Sequence, residues 1–313
     1  MIAIKGDKFL VTGGAGFIGS HIIEELLKQD KEVVCLDNFV SGKEENISEF
    51  TKNKNFRLVT ADIADLNEIR PHFNGVDVVF HNAASKCTVC RDNPLLDLQV
   101  NAMGAWNVFQ ASSAAGIEKI VHASTGSVYG EAIGEQNENH PYKPVSFYGV
   151  SKLAGERYLE PFHNYYGLRY SVIRYFHVFG SRQDSTEKGG VIPIFIKKAL
   201  KNEPITIFGN GKQVRHFTYV KDDVDANFIL ANTTKTDGEA YNVANDVKIT
   251  ILDLAEWIIR LTKSNSRIVH KPFRKGDIRW FDVKSDKIKK FGMNYTDFDA
   301  ALHSTIEWYK ENL

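Results

Sequence analysis

The chain has 313 residues, 43% hydrophobic and 25% charged, a composition that fits one large soluble domain or two sharing an interface. Lys and Arg together number 39, as do Asp and Glu, which excludes a general attraction to nucleic acid or to an anionic membrane surface. No apolar run approaches the ~20 residues that span a bilayer, Met1–Gly6 leads directly into a strand with no room for a cleavable leader, and three cysteines (Cys35, Cys87, Cys90) are too few for a disulfide framework, so a reduced, cytoplasmic chain is expected.

In chain order, the first element is a short apolar strand, Phe9-Leu-Val-Thr12, followed by Gly13-Gly-Ala-Gly-Phe-Ile-Gly19. From Ile18 the apolar residues Ile18, Ile22 and Leu26 recur at helical spacing, with Ile23 and Leu27 beside them. Strand, glycine turn and helix in that order form a dinucleotide site. The early glycines permit a tight turn, Gly16 lets the backbone approach a pyrophosphate, and Gly19 lets helix and strand pack closely. The helix N-terminus offers free N–H groups to the phosphates. The second strand, Glu32-Val-Val-Cys-Leu-Asp37, ends in an acid 18 residues after Gly19. A carboxylate there accepts hydrogen bonds from a ribose 2′-OH and repels a 2′-phosphate, which favours NAD over NADP.

Further strands are predicted at 56–62, 76–81, 119–124 and 171–175, with helices at about 95–115 and 148–165 between them. This alternation predicts an α/β, Rossmann-type doubly wound parallel sheet. Beyond about Phe176 the pattern shifts to shorter elements: a helix at 191–201, a strand at 205–208, a helix from Thr250 whose Thr-x-x-Asp pattern caps it, and a closing amphipathic helix around Ile306, Trp308 and Tyr309. The expected organisation is an NAD-binding domain over 1–175, with returns near 216–245, and a smaller mixed α/β substrate lobe over 176–313.

Tyr148-Gly-Val-Ser-Lys152 is the most informative catalytic feature. Four residues apart at a helix start, phenol and ammonium share one face. A phenol of pKa ~10 is a poor base at neutral pH, but adjacent positive charge favours the phenolate. Thr125, just after the fifth strand, falls at the carboxyl end of the sheet, where ligands bind. His81 and His122 lie in buried-strand patterns and read as core. Cys87-Thr-Val-Cys90 has the spacing of half a zinc site without a second pair, so the two cysteines read as small loop residues near the ligand and no metal is expected. The charge run Lys284–Lys290 reads as a solvated face.

Motifs along nearly the whole chain resemble the extended short-chain dehydrogenase/reductase family, most closely its nucleotide-sugar 4-epimerases. They are Thr12 to Gly19, Asp37-Asn38, Asp62-Ile63, His81-Asn-Ala-Ala84, Asn101-x-x-Gly104, Tyr148-x-x-x-Lys152, Arg174-Tyr-Phe, Gly209-x-Gly-x-Gln-x-Arg215 and Arg274-x-Gly-Asp277. The resemblance implies that Gly13, Gly16, Phe17, Ile18 and Gly19 hold the cofactor pyrophosphate and that Asp37 and Asn38 hold the adenosine ribose. It places Ser41 and Gly42 beside them, Asp62 and Ile63 at the adenine, and Ala83, Ala84, Lys86, Asn101, Ser124, Tyr175, His177 and Val178 along the rest of the cofactor. Lys86, Thr125, Tyr148, His177, Val191, Arg215, Arg274 and Asp277 are implied as substrate contacts, with Arg215, Arg274 and Asp277 on the nucleoside diphosphate.

The implied activity is an NAD-dependent UDP-hexose 4-epimerase, acting on UDP-glucose and UDP-galactose or their N-acetyl forms. Tyr148 is its base, Thr125 binds the 4-oxygen and Lys152 orients the nicotinamide ribose. Dehydratases of the family carry Asp-Glu, and decarboxylases a glutamate, where this chain has Gly126-Ser127, neither able to supply a proton. The alternatives are a nucleotide-sugar dehydratase or keto-sugar reductase of the same family, or a non-catalytic NAD-binding regulator. The chain departs from the family at His177, where Asn is common, and the segment after Asp277 places Trp280 near the sugar 2-substituent. The helices near 95–115 and 148–165 are implied to pair with a second copy as a four-helix homodimer interface.

Overall fold

The computed structural model describes residues 2–131, 134–187, 189–273 and 281–313. Seven parallel strands form the central sheet: β1 (Lys8–Thr12), β2 (Glu32–Asp37), β3 (Phe56–Thr60), β4 (Val78–His81), β5 (Lys119–Thr125), β6 (Tyr170–Tyr175) and β7 (Glu239–Val243). Their spatial order is β7-β6-β5-β4-β1-β2-β3. The chain therefore winds outward from β1 in one direction, then reverses and starts again at β4. This switch opens a crevice above the carboxyl ends of β1 and β4, where Thr12 pairs with His81.

Both faces of the sheet are covered, which is why its strands are apolar at consecutive positions. Phe9, Val11, Val33 and Cys35 point into one core with Ile22, Ile23 and Leu26 of helix α1 (Phe17–Lys28). Leu10, Val34 and Leu36 point into the other, with Val108, Phe109, Leu159 and Phe162. Helix Val220–Ala231 supplies Val224, Ala226 and Phe228 to the first core, and β7 adds to the sheet edge beside β6. A third apolar cluster joins helices Val191–Leu200, Ile251–Thr262 and Phe298–Asn312 to the paired strands Ile205–Phe208 and Ile268–Lys271. Thr250 caps its helix as its sequence pattern indicates, accepting from the Asp253 N–H at 3.0 Å.

Three local features differ from the sequence reading. The helix expected over 95–115 divides into Pro94–Asp97, a π-helical segment Leu98–Gly104, and Ala105–Ala114. The wider turn holds Asn101 inward, where it bonds both the N–H and the carbonyl of Ser85. Cys87 and Cys90 are not in a loop: Cys87–Asp92 is a short helix. The run after Lys284 is only partly a solvated face, because Ile288 is buried there while Lys287 and Lys289 pair with Glu239 and Asp246.

Candidate active site

The glycine turn is shaped for an anion. Gly13 has φ +67°, and a Cβ there would stand 2.7 Å from the Ala83 nitrogen. A Cβ on Gly19 would stand 2.2 Å from the Gly13 carbonyl oxygen, so no side chain is tolerated where α1 meets the strand. Helix α1 begins without a capping side chain and without an acid in its first turn. Its first N–H groups and the positive end of its dipole therefore face the crevice unsatisfied, the arrangement a pyrophosphate completes.

A cavity of about 380 Å³ runs from this turn across the carboxyl ends of the strands. Gly13, Gly16, Phe17, Ile18 and Gly19 form its floor. Asp37, Asn38, Ser41 and Gly42 close it after β2, with Asp62 and Ile63 after β3. Asp37 accepts from the N–H groups of Ala15 at 2.9 Å and Phe39 at 2.8 Å, which ties the end of β2 to the glycine turn. Burial pushes its carboxyl pKa up, and those backbone hydrogen bonds pull it back. Asn38 donates to Asp62 at 3.0 Å. On the other side of the switch point, Ala83, Ala84, Lys86, Ser124, Tyr148, Lys152 and Tyr175 complete the wall.

Lys152 is 2% exposed, and burial lowers its pKa to about 8 against the opposing charges of Glu156 and Asp97. Glu156 is itself saturated: Arg174 reaches it at 3.0 and 2.6 Å, and Ser124 donates to it. Tyr148 lines this cavity and also a second one of about 410 Å³, beside Thr125, His177, Val178 and Val191. That second space is walled by Phe179, Ile192 and Phe217, with Ser124, Tyr175 and Gln183 among its polar lining. In the protein alone the Tyr148 phenol does not have the lowered pKa that its neighbours imply. Burial pushes it up, Cys87 and Cys90 add to the shift, and only a hydrogen bond with Thr125 opposes it.

The predicted residues do not all converge. Asn101 is 1% exposed and lies behind the wall, holding Ser85 rather than facing the cavity. Arg215 is outside both cavities, donating to the Val214 carbonyl at 2.9 Å with its guanidinium 5.3 Å from the Phe281 ring. His177 has φ +42° and is wedged between Phe217 and Phe281. Burial first, then Arg215, lowers its pKa to about 3, so it is a neutral imidazole. Arg274, Asp277 and Trp280 fall outside the described residues.

Sequence reasoning missed Asn82, Arg182 and Asp184, which line the first cavity. Asn82 accepts from the Tyr175 hydroxyl at 3.2 Å. Arg182 is held by Glu24 at 2.6 Å and Glu49 at 3.0 Å, and Asp184 pairs with Lys86 at 3.4 Å. Asn82 lay inside a quoted motif, but nothing local marks the other two. Among the described residues no group of three or more His, Cys, Asp or Glu could hold a metal ion, and no helix is long and apolar enough to cross a membrane.

An uncapped helix behind a glycine turn at the switch point, with a Tyr-x-x-x-Lys helix across the crevice, defines a dinucleotide-dependent protein of the short-chain dehydrogenase/reductase class. The chain belongs to the NAD dependent epimerase/dehydratase family, whose model matches residues 9–244, and its cofactor is NAD. It is 35% identical over 308 residues to a putative UDP-glucose 4-epimerase of Methanocaldococcus jannaschii, covering 97% of this chain and 98% of that protein. It is also 35% identical over 320 residues to a UDP-N-acetyl-alpha-D-glucosaminuronate decarboxylase of Bacillus cytotoxicus, covering 96% and 97%. The crystal structure of UDP-glucose 4-epimerase from Thermotoga maritima with UDP-glucose superposes with a TM-score of 0.92 at 33% identity, covering 97% of this chain and 99% of that one.

Proposed function

We propose that the protein is an NAD-dependent UDP-hexose 4-epimerase that oxidises C4 of the sugar transiently, through a 4-keto intermediate. The observation that carries this reading is the turn beside Tyr148: Thr125 is present, and the two residues that follow it, Gly126 and Ser127, carry no carboxylate. Gly126 and Ser127 occupy the turn where a dehydratase or decarboxylase places its extra acid. A Cβ on Gly126 would stand 2.1 Å from the Phe176 ring, so the packing leaves no room for the aspartate of a dehydratase there, and Ser127 stands where the glutamate of either enzyme would be. Elimination of water needs that additional proton donor and epimerisation does not.

In this mechanism the residues around the glycine turn and Asp37 hold the dinucleotide, and NAD supplies the acceptor for hydride from C4 and its return to the opposite face. Tyr148 takes the proton of the 4-hydroxyl and later restores it, while Thr125 hydrogen-bonds the same oxygen. Lys152, held charged by Glu156 and Asp97, orients the nicotinamide ribose and, with the oxidised ring, supplies the positive charge that the phenol lacks in the protein alone. The second cavity receives the hexose, and its apolar walls let the 4-keto sugar turn over. Incubation of the protein with UDP-glucose, UDP-galactose and their N-acetyl forms, followed by NMR, tests the reading. Interconversion within a pair is expected; loss of the 6-hydroxyl or net consumption of a reduced cofactor points to the other chemistries of the family.

The protein works as a homodimer. Helices Pro94–Ala114 and Phe147–Tyr166 leave Leu95, Met103, Trp106, Val150, Tyr165 and Tyr166 exposed, Tyr165 by 82%. An apolar surface of this extent on two adjacent helices is what a second copy would cover. Sedimentation velocity should give a dimer, and Trp106→Asp combined with Tyr165→Asp a monomer.

A further inference from the structure

Cys87 and Cys90 have no role in the chemistry above, yet their setting is specific. They are the first and fourth residues of helix Cys87–Asp92. Cys87 is exposed and lines the second cavity together with Thr125 and Tyr148. Cys90 is 1% exposed, its Sγ 3.5 Å from the Ser85 carbonyl oxygen, and it accepts from the Asn101 amide at 3.8 Å. Beside it lies the carboxylate of Asp97, 2% exposed, which accepts from Asn101 at 2.7 Å and Ser151 at 3.0 Å and helps to push the Cys90 thiol up. Among the described residues no Lys or Arg forms an ion pair with Asp97. A buried cysteine serving only as core filler has apolar neighbours; this one is surrounded by polar atoms and a carboxylate.

We propose that Cys87 and Cys90 are a thiol–disulfide couple, a redox modification site in the wall of the sugar cavity that exchanges with external organic disulfides, with Asp97 receiving the proton of Cys90. Residues three apart on a helix have Cβ atoms about 5–6 Å apart. A disulfide needs roughly 3.5–4.5 Å, with Cα atoms within ~7 Å. The gap closes if the first turn loosens at Cys87, which begins the helix and faces the cavity. The division of labour follows from burial. Cys87 is the accessible thiol, whereas burial and then Asp97 push the Cys90 thiol up to about 12, so it acts second.

The exchange balances. The Cys87 thiolate attacks the external disulfide, forming a mixed disulfide and releasing one thiolate. Cys90 then gives its proton to Asp97 and attacks Cys87 Sγ, releasing the second thiolate. Two protein thiols are oxidised to one disulfide while the external disulfide is reduced to two thiols. Closing the bond moves the Cys87 sulfur from the cavity wall and strains the Ser85–Lys86 segment that Asn101 anchors. Cys87 lines the second cavity beside Tyr148 and Thr125, so the state of the pair and the occupancy of the cavity are linked. A ligand in the second cavity shields Cys87.

The test uses the full-length protein with NAD present, equilibrated over a series of reduced-to-oxidised dithiothreitol ratios, quenched with an alkylating agent and read by intact mass and peptide mapping. One intramolecular Cys87–Cys90 disulfide is expected, leaving Cys35, buried under the glycine turn, reduced throughout. With oxidised glutathione, Cys90→Ser should trap a stable mixed disulfide on Cys87, while Cys87→Ser should leave Cys90 unmodified. Failure to form the intramolecular bond at any ratio, or Cys90 modified as fast as Cys87, overturns the proposal. Alkylation of Cys87 in the reduced protein should slow at least tenfold with saturating UDP-glucose or UDP-N-acetylglucosamine. This arm alone rests on the proposed substrate class: a disulfide that forms without shielding by either sugar nucleotide keeps the couple and removes its link to that cavity. Disulfide formation is measured without reference to turnover, so a chain that fails to epimerise any sugar can still pass or fail this test.

Discussion

The two halves of the crevice are built on different principles. On the glycine-turn side the ligand-facing surface is largely backbone: uncapped N–H groups of α1, a left-handed Gly13, and contacts so close that no Cβ fits at Gly19. On the Tyr148 side the surface is made of side chains from separated segments, Cys87, Thr125, His177, Val191 and Phe217, gathered only by tertiary packing. A backbone site leaves a compact written record, because glycine is the only residue that satisfies it. A side-chain site does not, since many residues can fill each wall and their choice sets which ligand fits. Relatives equally similar to this chain accordingly carry the names of different reactions, an epimerase and a decarboxylase.

Substitutions on the two sides should therefore fail differently. The largest effect is expected for Tyr148→Phe, which removes the proposed base while leaving the backbone cradle intact: turnover falls about 10²–10⁴-fold, with NAD affinity, measured by calorimetry, nearly unchanged. Gly19→Ala should do the converse, weakening NAD binding more than tenfold and destabilising the fold by roughly 1–3 kcal/mol through overpacking against the Gly13 carbonyl, as read by denaturant melts. If this variant binds NAD normally, the backbone account of the first half is wrong. Asp37→Ala leaves the Ala15 and Phe39 N–H groups without their acceptor, at a cost of about 1–3 kcal/mol, and should reduce the preference for NAD over NADP in titrations.

The smallest effect on stability sharpens the contrast by separating stability from function. Lys152 is charged and buried, so Lys152→Met should abolish turnover yet raise Tm by a few degrees. The sign of the pH dependence follows from the lowered pKa. Below about pH 8 Lys152 is protonated in both folded and unfolded chains, and the full burial cost is present. Between about 8 and the ordinary value of 10.5 the unfolded chain binds more protons, so the wild type gains stability with rising pH and the advantage of the variant shrinks. Melts from pH 6.5 to 10 check this.

Among the individual predictions, strands β1 and β2 and the helix of Tyr148 were legible because apolar runs and a glycine turn act locally. The π-helical segment at Leu98–Gly104 was not, because what favours it is distant: Asn101 bonding Ser85, and Gly104 packed where a Cβ would stand 2.8 Å from Ile63. The helix at Cys87–Asp92 was missed because six residues carry too little periodicity to register. The protein alone does not show the lowered phenol pKa, for a related reason. Spacing places the ammonium on the right face, but burial of the hydroxyl, a property of the assembled crevice, is the largest influence on the phenol and pushes its pKa up.

The sequence by itself determined the doubly wound sheet, the dinucleotide site and the Tyr-x-x-x-Lys pair, since each depends on contacts within a few residues or on a periodicity that local sterics impose. Only the tertiary structure decided that Tyr148 stands where two cavities meet, that Arg215 and Asn101 stand outside them, and that a buried carboxylate lies against the Cys87–Cys90 helix. Those arrangements bring together residues tens of positions apart, and packing in three dimensions, not local preference, selects them.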